Sequence, residues 1–217
     1  MPRSNIIKDF VSKQSDLDTT LKRLKVILYS LEYQEALEWL DKELNGYSEL
    51  DELPSYRIFN GQVYGNYING LVEAKNQLIP IEELSKEWQE SIKVTKIYND
   101  IETLQNSIDN DIKMGKPLSS AICSIISKKY GFILINANVI VNTTQVRSTI
   151  KQVEKKTLDI LLELEKEFGN LDELDIDLNN TDRVTINEVN KNIIAIIYDK
   201  SVSIGSDNSI EESTFNA

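Results

Sequence analysis

ALEWLDKELNGYSELDELPSYR, residues 36–57, packs six carboxylates, two tyrosines and a tryptophan into one short run. The run is either an acidic active site or the wall of a helix followed by its stop signal and a bend into different structure. At ~100° per residue, Tyr33, Leu37, Leu40 and Leu44 fall on one stripe of a helix over 33–45. Glu35, Glu38, Asp41 and Lys42 fall opposite, with Glu38 and Lys42 spaced as an i, i+4 ion pair. Gly46 is placed to end this helix in the left-handed conformation. Glu43 is the exception, because it shares a stripe with Ala36, Trp39 and Tyr47 at the border of the core. A carboxylate shielded by two aromatic groups needs a partner, and Arg57, brought back by the strand after the Leu53-Pro54 bend, is the obvious one.

Upstream, Leu17, Leu21, Leu24, Leu28 and Leu31 recur at spacings of four and three, which predicts an amphipathic helix capped by Asp16 or Ser15. A short turn of helix over 5–11 precedes it. Downstream the period changes. Asn60-Gly61 and Asn69-Gly70 are two type I′ hairpin signals, flanked by YRIF, QVYGNYI and LVEA. Together they predict a three-stranded antiparallel meander over about 55–75.

Pro80 is placed to open a short helix over 81–88, and Val94, Ile97, Ile101, Leu104 and Ile108 predict another over 92–110. Pro117 stands at the first position of a helix expected over 118–130, with Gly131 as its stop. FILINANVIV, 132–141, reads as a buried strand, with a helical reading left open by periodicity alone. Asn142 and Gln145 form a capping box for the longest helix, to about 168, with the seam Val146, Ile150, Val153, Thr157, Leu161, Leu164 and Phe168. Ile186, Val189, Ile193 and Ile196 or Ile197 mark a last helix. The acidic segment 170–182 is the best candidate boundary, dividing 1–169 from 183–217. In the tail, Val202 and Ile204 alternate with serines, and Ile210 to Phe215 can return as a second strand. An isolated ribbon is marginal in water, so an ordered tail is expected to pair with another chain or edge; a flexible terminus is the alternative.

Composition excludes much chemistry. With no histidine, Ser-His-Asp and Cys-His catalysis and imidazole-based zinc sites are impossible. The one cysteine, Cys123, sits in an apolar AICSIIS context that suits a buried small residue. Net charge is −11, and residues 31–55 hold eight acids against Lys42 alone, which opposes general nucleic-acid binding. Residues 1–30 are the contrast, with six Lys/Arg against three Asp. Asp175, Asp177 and Asn179 begin like an EF-hand loop, but Ile186 stands where the bidentate glutamate belongs. Met114-Gly115-Lys116 leads into Pro117 and is no P-loop, and Gly61, Gly65 and Gly70 lie among strands, not at a strand-to-helix turn. No apolar run resembles a signal peptide or spans a bilayer, so a cytoplasmic protein without membrane association is expected.

The run Glu38-Trp39-Leu40, Glu43-Leu44-Asn45-Gly46-Tyr47, then Leu53-Pro54 and Tyr56-Arg57, resembles the signature of AbiTii-like domains of bacterial abortive-infection, phage-resistance proteins. Ile150, Val153, Leu158-Asp159 and Leu162-Glu163-Leu164-Glu165 resemble that family's later helix, and IGSDNSIEESTF resembles tails on such proteins. The resemblance covers roughly 15–165. It departs after Val153, where the family often has arginine and this chain has Glu154 and two lysines. What it implies is an anti-phage role and a companion defence protein; it transfers no catalytic residue.

The resulting expectation is an α+β, mainly α protein: an N-terminal helix pair, a three-stranded meander, and a helical C-terminal half with a short β tail. Trp39, Glu43, Gly46, Tyr47, Pro54, Tyr56 and Arg57 are expected to be structural, and Val202, Ile204, Ile210 and Phe215 to drive homo-oligomerisation. No cofactor, metal or catalytic residue is assigned. Function is expected through protein–protein association, as sensor, scaffold or toxic effector. The rival is a metal-dependent hydrolase or nuclease using Glu43, Glu49, Asp51 and Glu52.

Overall fold

The computed structural model describes residues 2–174, 176 and 182–199. In chain order the elements are helices α1 (Asn5–Val11), α2 (Leu17–Ser30) and α3 (Gln34–Asn45), then a 3-10 turn (Ser55–Arg57). Strands β1 (Ile58–Asn60), β2 (Gln62–Asn69) and β3 (Val72–Leu78) follow, then helix α4 (Lys86–Lys93), strand β4 (Val94–Lys96) and helix α5 (Ile101–Asp109). Strand β5 (Gly115–Pro117), helix α6 (Ser120–Tyr130), strand β6 (Ile133–Ile140), helix α7 (Thr143–Phe168) and helix α8 (Arg183–Tyr198) complete it. The fold is α+β and mainly α, as the sequence predicts.

Local chemistry fixes the helix starts. Asp16, Asp100 and Asp182 each accept a hydrogen bond from the backbone N–H three residues on, and Asn142 with Gln145 closes the capping box of α7. Gly131 ends α6 at φ 75°, ψ 17°. The leucine seam of α2 (Leu17, Leu21, Leu24, Leu28) packs with Leu37 and Leu40 of α3, Ile101 and Leu104 of α5, and Val153, Ile160 and Leu164 of α7. Residues within and beyond the acidic segment enter this same core: Leu171 and Ile176 within it, then Val189, Ile193 and Ile197 of α8.

A second core lies between α6 and a four-stranded antiparallel sheet of order β3-β2-β6-β5. Val63 of β2, Leu134, Ala137 and Val139 of β6, and Cys123 and Ile126 of α6 fill it. Cys123 is buried, and burial pushes its thiol pKa up.

Here the three-stranded meander is corrected. The hairpin at Asn69-Gly70 forms, closed by the pair Asn69–Val72. Of its two turn residues only Gly70 has positive φ (60°), the type II′ pattern rather than I′. The hairpin at Asn60-Gly61 does not form. Both edges of β2 are taken, by β3 and by β6, so β1 has no place beside it and pairs with β4 instead.

That pairing also explains why 92–110 is not one helix. Val94–Lys96 extends to meet β1, and α5 restarts at its Asp100 cap. Pro80 does not open a helix, since α4 starts later at a Ser85 cap. Pro117 lies in β5, and Ser119 caps α6. The ribbon expected of Val202, Ile204, Ile210 and Phe215 lies outside the described residues. Among the described residues no helix is long and apolar enough to cross a membrane.

Candidate functional site

The amphipathic pattern of α3 turns Ala36, Leu37 and Leu40 inward and carries Trp39 and Glu43 into the interior at its C-terminal end. Gly46 then takes φ 86°, ψ 167°, so its φ is left-handed as expected but its ψ is extended. A Cβ there would come within 2.9 Å of the Tyr98 carbonyl, so only glycine fits this close approach. The bend aims Tyr47 back over the helix end, and its N–H donates to Tyr98 O at 2.7 Å. Pro54, at φ −58°, leads into the 3-10 turn that buries Tyr56 and Arg57.

Glu43 and Arg57, both with fully buried side chains, meet here. Arg57 Nη2 donates to Glu43 Oε2 at 2.5 Å and Nε to Oε1 at 3.4 Å. The hydroxyls of Tyr47 and Tyr56 each donate to Oε1 at 2.7 Å. A carboxylate offers about four acceptor positions, two on each oxygen; three donors converge on Oε1 and one on Oε2. Trp39 Nε1 donates to the Tyr56 hydroxyl at 3.0 Å, and the Arg57 guanidinium lies 4.6 Å above the Tyr47 ring. Its remaining arm, Nη1, donates to the carbonyls of Asn99 (2.7 Å) and Ile97 (3.4 Å).

Burial, with the Glu43 charge added, pushes both tyrosine hydroxyls well above their ordinary pKa. For Arg57, burial pulls downward, but the adjacent carboxylate outweighs it and the guanidinium ends above its usual value. The arrangement therefore holds one charge pair and two neutral phenols, with both carboxylate oxygens engaged and the pair fully buried.

The other acids of the stretch go elsewhere. Lys42 pairs with Asp51 at 2.9 Å, in place of the Glu38 pairing expected from helical spacing. Asp51 also accepts from Ser48 N at 2.7 Å, and that bond, with Lys42, holds its carboxyl below the usual range. Glu49 lines a cleft with Glu87, Glu90, Lys96 and Lys116, whereas Glu52 lines a different one with Pro54, Tyr56 and Asp199. In the first cleft Lys116 Nζ donates to Val94 O at 2.5 Å, so its ammonium supports the end of α4. Glu43, Glu49, Asp51 and Glu52 are thus not brought together. Among the described residues no three His, Cys, Asp or Glu side chains are grouped to hold a metal ion.

Two residues of the corner were missed by the sequence reading. Thr149 of α7 donates to Tyr56 O at 2.6 Å. Lys156, its side chain only 4% exposed, donates to Ile196 O at 2.8 Å and Asp199 Oδ1 at 2.6 Å, with its Nζ 5.9 Å from the Tyr56 ring centroid. The signal was present, because Lys156 stands three residues after Val153 and four before Ile160, on the apolar seam of α7.

The fold and this corner define a mainly helical α+β protein in which the signature residues tie helices to strands. A model of the AbiTii family matches residues 4–190, and the chain belongs to that family, one of abortive-infection phage defence. No curated protein matches the chain, and no solved structure does.

Proposed function

We propose that this chain carries out its part in phage defence in the bacterial cytoplasm through protein–protein association, with further copies of itself and with a companion defence protein. It acts as sensor, scaffold or toxic effector and makes or breaks no bond at the signature. One observation carries this reading: the carboxylate of the signature, Glu43, is fully buried and has both its oxygens engaged by Tyr47, Tyr56 and Arg57. What this leaves for function is the surface.

The test is the mass of the purified protein by light scattering, read beside plaque counts on a defended strain. A mass above the 24.8 kDa of one chain is expected. Deleting residues 200–217 is expected to lower that mass and weaken defence together. A wild-type mass of one chain with full defence, or metal-dependent hydrolysis lost in a stably folded Glu43→Gln variant, would sink the reading.

A further inference from the structure

Three Asn-Gly pairs stand in this chain, at 45–46, 60–61 and 69–70, alike in chemistry but not in surroundings. Asparagine is a thermolabile residue. A following glycine makes it most so, because with no Cβ in the way the next backbone nitrogen can reach the carbon of the side-chain amide. A fold permits that attack where the asparagine side chain is not held, the glycine N–H donates to nothing, and the backbone between them can leave its native angles.

Two of the three pairs are locked. Asn45 closes α3 with its Nδ2 donating to Asp41 O at 3.0 Å. Gly46 is pressed against segment 98–100, where an added Cβ would fall 2.9 Å from Tyr98 O and 3.3 Å from Asp100 N, so this peptide cannot turn without displacing the corner. Asn60 pairs with Val94 in the β1–β4 ribbon, and the Gly61 N–H is committed to Lys93 O at 2.9 Å. Gly61 is also buried against β6, a Cβ there falling 2.6 Å from Val139 Cγ1 and 2.8 Å from Ile140 O.

Asn69-Gly70 is open on every count. Both residues are exposed, and Leu71 beside them is fully so. Among the described residues the Gly70 N–H has no acceptor. A Cβ added at Gly70 would meet nothing within 4 Å, so the peptide has room to swing. The last pair of β2 with β6 is Ile68–Ile133; beyond it Asn69 is held only by Val72, on the edge strand β3. An extended Asn69 must rotate to bring the Gly70 nitrogen to its Cγ, and fraying of this one terminal pair allows it. Such end openings are the least costly a folded chain makes.

We propose that the tip of the β2–β3 hairpin is a spontaneous modification site, where Asn69 and Gly70 close a succinimide ring that water then opens to aspartate or isoaspartate. The Gly70 nitrogen bonds to Asn69 Cγ, the Cγ–Nδ2 bond breaks, and Nδ2 leaves as ammonia with the proton from Gly70. Water adding at Cγ gives aspartate and leaves the main chain as it was. Water adding at the main-chain carbonyl carbon gives isoaspartate, with one methylene more in the backbone. Either product places a new carboxylate at the tip, near Glu73, which pairs with Ile68. The lengthened backbone also loses the Asn69–Val72 register that closes the turn. This chemistry is independent of the association reading above.

The experiment incubates the full-length protein, folded and in urea, in mildly alkaline buffer made with heavy-oxygen water, so that ring opening labels the residue that reacted. Peptide fragmentation by mass spectrometry locates the label. In the folded protein residue 69 is expected to take up label at least tenfold faster than residues 45 and 60, and in urea the three rates should draw within threefold of one another. Asn69→Gln, whose side chain closes the larger ring far more slowly, should melt as wild type does and leave the folded-state tryptic peptide 58–75 unlabelled. A folded-state preference for residue 69 below tenfold overturns the proposal, as does label persisting in that peptide of the folded Asn69→Gln protein.

Discussion

Replacing Glu43 by glutamine removes one charge from a pair whose two side chains are fully buried, with almost no change in volume. The amide oxygen can still accept from the Tyr47 and Tyr56 hydroxyls, but the amide N–H2 then points at Arg57 Nη2, which sits 2.5 Å from the present Oε2. Turning the amide over aims its N–H2 at the two hydroxyls, which must then give up donating to this position and accept instead. In either rotamer the guanidinium loses its counter-charge where water cannot replace it. Breaking a buried pair from one side costs about 3–5 kcal/mol, a large share of the roughly 5–15 kcal/mol that holds a domain folded. For a chain of this size each kcal/mol moves the melting temperature by about 2–4 °C, so a drop of roughly 6–20 °C is expected. Melting by circular dichroism measures it, with the urea midpoint as a second reading at unchanged slope. Glu38→Gln, on the exposed face of the same helix, is the control and should stay within about 0.5 kcal/mol. A second variant, Glu43→Gln with Arg57→Gln, should lose less than the sum of the two singles, because it leaves no uncompensated charge. A Glu43→Gln protein that melts within 2 °C of wild type yet fails in defence would refute the structural account and return the carboxylate to chemistry.

Two further predictions follow from the same interior. Burial raises the Tyr33 hydroxyl to about 12 and raises Tyr47 and Tyr56 further. Unfolded tyrosine ionises near pH 10. The native state therefore holds protons that the unfolded chain releases, and stability is complete below pH ~10 and lost above it. The loss is about 1.4 kcal/mol per pH unit for each retained proton, and hence roughly 4 kcal/mol per unit for three. Urea midpoints at pH 9, 10.5 and 11 would show it, and a spectrophotometric titration in which all nine tyrosines of the folded protein ionise together near pH 10 would contradict it. Lys156→Met should keep the packing of α7 but free Ile196 O and Asp199 from the ammonium. Amides at the C-terminal end of α8 should exchange with deuterium about tenfold faster, the equivalent of about 1.4 kcal/mol; exchange unchanged from wild type would show that this contact holds nothing.

Inward faces and some helix starts were legible because they depend on residues within one turn of each other. The Asp16 cap, the Asn142–Gln145 box and the placement of Glu43 with Trp39 and Tyr47 are all of that kind. Even the partnership with Arg57 could be read, since a buried carboxylate needs a cation and one stood just past the Leu53-Pro54 bend. Strand partners were not legible. Asn60-Gly61 carries a hairpin signal as good as that of Asn69-Gly70, yet which edge β2 offers is decided by β6, some seventy residues later. Likewise the three-four spacing through 92–110 is broken by the demand of β1 for a partner. Lys42 chose Asp51 over Glu38 because the loop after Gly46 brings a carboxylate to it, which no helical wheel contains.

The segment 97–99 explains why the signature occupies this place in the fold. Arg57 Nη1 holds the carbonyls of Ile97 and Asn99, Tyr47 N holds Tyr98 O, and Ile97 N returns a bond to Arg57 O at 3.0 Å. This stretch leaves β4 and enters α5, so the corner fixes where the β1–β4 ribbon joins the helical core. A substitution in the signature consequently disturbs helices and strands together, and its loss of defence says little about mechanism. Of the six bases in residues 1–30, Arg3, Lys22, Arg23 and Lys25 are each paired to a carboxylate. Variants that separate folding from function must therefore lie where side chains leave the fold unsupported when removed least, on exposed surface. Leu71 and Ile133 meet that condition, because each faces solvent while the Tyr67–Phe132 contact beneath them stays in place. If defence fails in Leu71→Lys/Ile133→Thr while melting is unchanged, exposed surface at this end of the sheet acts in function; if defence persists, that surface is dispensable for it.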